Sequence, residues 1–145
     1  MPDDIRVVAS HDGLDVLRDG PGDGILLVAH GQLCAPALAA VDQLDFPVRV
    51  VSPRWSLPVC RGLIEEAAEA RAVVSVEDGL VVSGLGSHLA DALSRRGLWR
   101  PIRNLGIPQR YLGHDSRSAI MAELGLDAPG IADAVSQLVS QLGGE

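Results

Sequence analysis

The sequence predicts a three-layer α/β/α fold built on a mostly parallel sheet, and three observations carry that prediction. Continuous apolar runs of strand length recur along the chain, each is followed by apolar residues at helical spacing, and glycine and proline mark the turns between them. Strands covered on both faces read as unbroken apolar runs, and their alternation with amphipathic helices implies helices on both sides of a parallel sheet.

The elements follow in chain order. Ile5 to Ala9 is a strand-like run and Leu14 to Leu17 a second, with His11-Asp12-Gly13 between them. Gly20-Pro21-Gly22-Asp23-Gly24 has the composition of a loop. The chain divides there into a strand-like extension and linker, residues 1–24, and a domain, residues 25–145. Ile25 to Ala29 reads as a buried strand, and Cys34, Ala37, Leu38, Val41 and Leu44 fall on one helix face. Val48 to Val51 gives the next strand, Leu63, Ile64, Ala67 and Ala68 a helix, and Ala72 to Val76 a third regular strand. A glycine turn then leads into a helix striped by Leu85, Leu89, Ala92 and Leu93. Pro101 to Ile107 reads as the last strand, and Ser116 to Leu124 as a helix. In the final helix Asp127 is the expected N-cap, Pro129 stands in the first turn, and Ile131, Ala134, Val135, Leu138, Val139 and Leu142 form the stripe.

Composition narrows the classes. A length of 145 residues suits one domain with a full core, and 47% apolar with 21% charged residues is ordinary for a globular protein. No apolar run approaches the roughly 18 residues of a membrane helix, and the first twenty residues are acidic. The expectation is a cytoplasmic chain with no membrane partner. Cys34 and Cys60 lie far apart with no CxxC spacing, which leaves a disulfide open and favours reduced thiols. A net charge of −7 argues against nucleic-acid binding, although Arg95 to Arg117 holds six arginines against one acid. Solvated helix ends and ion pairs between domains are the commoner reasons for such a cluster.

The chemistry-bearing motifs are incomplete. Gly84-Leu85-Gly86-Ser87-His88-Leu89 lacks the third glycine of a dinucleotide fingerprint, and the chain contains no lysine for a phosphate-binding loop of the Walker type. Its glycines point to close packing of the helix. Gly22-Asp23-Gly24 resembles the start of a magnesium-diphosphate motif, but the only asparagine is Asn104, so it reads as a turn. His114-Asp115-Ser116 has triad residue types at a spacing that prevents them from converging. His30 and Cys34 are four apart, yet His30 belongs to a strand end. Glu77-Asp78 ends a strand where α/β folds place ligands, and a solvated acidic turn explains it equally. Trp55 fits either an interface anchor or the core. The residues nominate no catalytic, cofactor-binding or metal-binding set.

Four stretches together carry a family resemblance: ILLVAHG, VVSPRWSLP, VVSVEDGLVVSGLGSHLADAL and NLGIPQRYLGHDSRSAIMAELGLDAPGIADAV. From about Gly13 onward the chain resembles the C-terminal domain of 1-deoxy-D-xylulose-5-phosphate synthases, and more loosely those of transketolases and 2-oxoacid dehydrogenases. Ser52 stands where the family usually has aspartate, and Ser83 where it has glycine. The resemblance implies a five-stranded mixed sheet with one antiparallel strand. It implies a part of a transferase of the non-mevalonate isoprenoid pathway whose thiamine diphosphate and Mg2+ are held by upstream domains. This chain would then bind no cofactor, be inactive alone, and pack against those domains in a homodimer. The interface expected on that basis comprises Arg54, Trp55, Glu77, Asp78, Gly84, Gly86, Ser87, Arg110, His114, Ser116 and Arg117. A free-standing binding module and a separate subunit of a split enzyme are the alternatives.

Overall fold

The computed structural model describes residues 5–55, 58–77, 84–106 and 126–143. The strands are β1 (Ala9–His11), β2 (Leu14–Arg18), β3 (Ile25–Ala29), β4 (Arg49–Pro53), β5 (Ala72–Glu77) and β6 (Ile102–Gly106). The helices among these residues are α1 (Cys34–Asp42), α2 (Arg61–Glu69), α3 (Leu85–Arg95) and α4 (Ala128–Gly143), with a 3-10 turn at Gly31–Leu33 before α1. The sheet order is β1-β2-β4-β3-β5-β6. β4, β3, β5 and β6 are parallel, β2 runs antiparallel to β4, and β1 antiparallel to β2.

The sheet therefore has six strands where five were expected, because the N-terminal hairpin contributes two. Asp12 and Gly13 both have positive φ, 46° and 85°, which closes a two-residue turn that pairs His11 with Leu14. That register sets β1 at Ala9–His11 rather than at the expected Ile5 to Ala9. Before Ala9 one bond continues the ladder, from Val8 N–H to the Val16 carbonyl at 2.7 Å. Val7 and Val8 stay exposed because this outermost segment has no layer over it. The Gly20–Gly24 stretch is a loop, and β2 on its N-terminal side is hydrogen-bonded to β4 and buries Leu14, Val16 and Leu17.

Alternation along β3 builds both cores. Ile25, Leu27 and Ala29 face α1 and α4, where they meet Cys34, Ala37, Ile131, Val135 and Leu138. Leu26 and Val28 face α2 and α3, where they meet Leu63, Ala67, Leu85, Leu89 and Leu93. At the start of α4, Asp127 Oδ1 accepts the Gly130 N–H at 3.0 Å, the expected N-cap bond. The expected helix from Ser116 to Leu124 lies outside the described residues. No helix among the described residues is long and apolar enough to cross a membrane.

One polar cluster ties three elements together. The Arg49 guanidinium at the start of β4 donates to both Glu66 carboxylate oxygens on α2, at 2.6 and 3.0 Å, and to Asp19 at 2.7 Å. Nε2 of His11 stands 3.1 Å from Glu66 Oε2. Burial pushes the Glu66 carboxyl upward, but the bonds and charges of Arg49 and His11 outweigh it and hold the group below its ordinary value.

Candidate functional site

Parallel strands bring their carboxyl ends to one pole of the sheet, where open α/β folds gather ligands and contacts. His30 follows β3, Arg54 and Trp55 follow β4, and Glu77 closes β5, while α3 begins there with Gly84 as its N-cap ahead of Leu85, Gly86 and Ser87. The fold thus collects Arg54, Trp55, Glu77, Gly84, Gly86 and Ser87 at one end of the molecule. Asp78, Arg110, His114, Ser116 and Arg117 lie outside the described residues.

A cleft of about 400 Å³ opens at this pole between Asp15, His30, Gly31, Ser52, Pro53 and Arg54. Arg54 donates to Asp15 at 3.2 Å, and the Ser10 hydroxyl donates to the same carboxylate at 2.8 Å. Ser52 is 5% exposed and accepts a bond from the Cys34 thiol at 3.5 Å. Burial pushes the Cys34 thiol up, and Cys34 and Cys60 are both buried and free, so the disulfide left open by the sequence is absent. Trp55 is neither a core residue nor fully free. Its side chain is 45% exposed, and its ring covers Gly13 so closely that a Cβ there would come within 2.6 Å of it.

Glu77 occupies the centre of the pole. Its carboxylate accepts the Leu85 N–H at 2.5 Å, at the free N-terminus of α3, where a negative charge is favoured. Burial pushes the carboxyl up, opposed by that bond and by the charges of His30 and His88, and the net shift is upward. A carboxyl raised in the folded state contributes stability that falls as pH rises through its folded pKa. Glu77→Gln keeps an oxygen for the Leu85 N–H and removes the half-buried charge. It is expected to leave stability unchanged or to raise it slightly at pH 7, and to flatten the pH dependence just above the usual carboxylate range. Urea titrations across that range check this.

Gly86 explains the glycine turn. Under it the Ser75 hydroxyl donates to Asn104 Oδ1 at 2.7 Å, and a Cβ on Gly86 would overlap that oxygen and approach Ser75 Oγ to 2.5 Å. The first turn of α3 lies directly on β5 and β6, as the sequence suggested. His30, Asp15, Asn104 and Ser75 escaped selection as site residues, because each is a lone polar residue within or beside an apolar strand, a pattern with no motif.

The thiamine diphosphate implied by the resemblance finds no fitting set among the described residues. Asp23 lies in a loop at the opposite end of the sheet, and Asn104 on β6 is held by Ser75 of β5. His11, Asp12 and Glu65 bring potential ligand atoms within 4.8 Å of one another at the hairpin turn, where Glu65 already pairs with Arg61.

A mixed sheet of this order, with a glycine-started helix packed on its third parallel strand, defines a class, and the comparisons place the chain in it. The chain belongs to the transketolase C-terminal domain family, whose model matches residues 14–131. It is 88% identical, over its full 145 residues, to a 1-deoxy-D-xylulose-5-phosphate synthase of Cutibacterium acnes, and spans 23% of that protein's length. It is 44% identical over 137 residues to 1-deoxy-D-xylulose-5-phosphate synthase 2 of Streptomyces avermitilis, 21% of whose length it covers. Among solved structures, a split gene transketolase described as an inactive beta4 tetramer matches with a TM-score of 0.75 and 31% identity, over 90% of this chain and 43% of that one. A transketolase of Campylobacter jejuni, at 16% identity and a TM-score of 0.59, shares the fold over 91% of this chain and 20% of its own.

Proposed function

We propose that this chain acts as the C-terminal domain of a thiamine-diphosphate-dependent 1-deoxy-D-xylulose-5-phosphate synthase. The parent enzyme joins pyruvate and glyceraldehyde 3-phosphate to give 1-deoxy-D-xylulose 5-phosphate and carbon dioxide. The observation that carries this reading is 88% identity along the whole chain to about a quarter of a protein of that name. The role is structural: the pole bearing Arg54, Trp55, Glu77 and Gly84 to Ser87 packs against the upstream domains and supports their homodimer. Those domains hold the cofactor and Mg2+, and the parent works in the cytoplasm. The half-exposed Trp55 and the Asp15–Arg54 pair supply an aromatic and a charged anchor of the kind that interfaces use.

The likeness to the split gene transketolase favours a second reading, in which the same domain serves in a separate subunit. Both readings require docking. Size-exclusion chromatography of this chain mixed with the remainder of the Cutibacterium acnes protein should show a joint peak, and Arg54→Glu with Trp55→Ala should abolish it. Separate elution of the unaltered pair would refute both.

A further inference from the structure

The cleft between Asp15, His30, Gly31, Ser52, Pro53 and Arg54 holds more hydrogen-bond donors than the fold itself uses. One wall is the head of a helix. Gly31, at φ 63°, turns the chain out of β3 and starts the 3-10 turn that runs into the nine residues of α1. His30 gives that turn no side-chain cap, and the N–H groups of Gly31 and Gln32 meet no backbone acceptor among the described residues. Space is open beside them, since a Cβ built on Gly31 would have nothing within 4 Å. Uncapped N–H groups at a helix start carry a partial positive charge and favour an anion.

Two further groups line the same cleft. Ser52 is 5% exposed, and the one described partner of its hydroxyl is the Cys34 thiol at 3.5 Å. A thiol is a weak donor and a weak acceptor, so this buried hydroxyl lacks the strong partner that such groups ordinarily have. Arg54, its side chain 54% exposed, engages Asp15 through Nε alone, at 3.2 Å, and its two terminal nitrogens have no partner among the described residues. Asp15 brings a negative charge to the cleft, but Arg54 matches it, and Asp15 Oδ1 accepts both Arg54 and the Ser10 hydroxyl. Apart from Asp15 Oδ2, the groups left over are donors: backbone N–H groups, a hydroxyl and one edge of a guanidinium. A guanidinium edge beside backbone N–H groups is what an oxyanion takes.

We propose that this cleft binds a small oxyanion, a phosphate or carboxylate group held between the Arg54 guanidinium, the Ser52 hydroxyl and the Gly31 N–H. Its volume of about 400 Å³ admits a small phosphorylated or carboxylated molecule as well as the bare group. The group has two sources, a free metabolite or an acidic side chain of the upstream domains, and only the second rests on the function proposed above.

The probe is inorganic phosphate, titrated into the 145-residue chain at constant ionic strength with chloride as the balancing anion. The amide NMR signals of Gly31 and Gln32 should shift saturably with phosphate and stay in place with chloride. Arg54→Gln, a change at an exposed side chain that leaves the core intact, should weaken binding about tenfold or more. Ser52→Asp, checked for folding by circular dichroism, sets a carboxylate of the chain's own in the cleft and should abolish binding. Arg95→Gln, at the far end of α3, should bind as the unaltered chain does. The remainder of the Cutibacterium acnes relative then separates the two sources. Phosphate that weakens its co-elution with this chain assigns the cleft to an acidic side chain of that remainder, and co-elution indifferent to phosphate assigns it to a free anion. A pair that never co-elutes counts against the synthase reading and leaves the titration standing. No saturable shift in the unaltered chain, or equal shifts in the Arg54→Gln and Ser52→Asp forms, would overturn the proposal.

Discussion

Replacing Gly86 with valine is expected to unfold the chain or to lower its stability by at least about 3 kcal/mol. The reason is local and unrelieved. The site of the new side chain is already filled by Asn104 Oδ1 and Ser75 Oγ, which are bonded to each other at 2.7 Å, and Ser75 is 1% exposed. Relief demands either lifting α3 off β5 and β6, which uncovers Leu85 and Leu89, or breaking the Ser75–Asn104 bond and leaving a buried hydroxyl without its partner. Alanine should cost less than valine, and Asn104→Gly should recover part of the loss in the Gly86→Ala background by vacating the overlapped space. Urea unfolding followed by circular dichroism measures both. A valine variant within about 0.5 kcal/mol of the unaltered chain would show that α3 does not rest on the sheet as described.

The second large effect concerns Glu66. Glu66→Ala strands the Arg49 guanidinium, 18% exposed, with only the exposed Asp19 as a partner, and is expected to cost about 3 kcal/mol. Replacing both partners by apolar residues, Arg49→Met with Glu66→Leu, should cost much less, because neither charge is then left unpaired. The same cluster sets an acid limit. Since the folded-state pKa of Glu66 is depressed, its contribution is fully present above the unfolded carboxylate pKa and is lost as pH falls through the folded value. Stability of the unaltered chain should therefore decline on the acid side of the usual glutamate range, and Glu66→Gln should flatten that decline. An unchanged acid profile in the variant would remove Glu66 from the account.

Most of the layered architecture was legible because burial on both faces leaves a plain record. The β3 run from Ile25 to Ala29 and the α4 stripe from Ile131 to Leu142 are found where the apolar pattern places them. The hairpin was harder to read. Its strand bounds come from the Asp12-Gly13 turn geometry, and the exposed Val7 and Val8 resemble a buried run in one dimension. The expected interface was legible only through family resemblance, although the parallel topology then brought its described members to one pole. The partners of those residues were not legible: Asp15 with Arg54, Glu77 with the Leu85 N–H, and Ser75 with Asn104 join positions between 8 and 39 residues apart.

The central claim is that this chain contributes structure, not chemistry, to a thiamine-diphosphate synthase. The most direct measurement is carbon dioxide release from pyruvate in the presence of glyceraldehyde 3-phosphate, thiamine diphosphate and Mg2+. It should be made with this chain alone, with the remainder of the Cutibacterium acnes relative alone, and with the two together. The account predicts no release from the chain, little from the remainder, and restored release from the mixture. Turnover by this chain alone, or full activity of the remainder without it, would contradict the account.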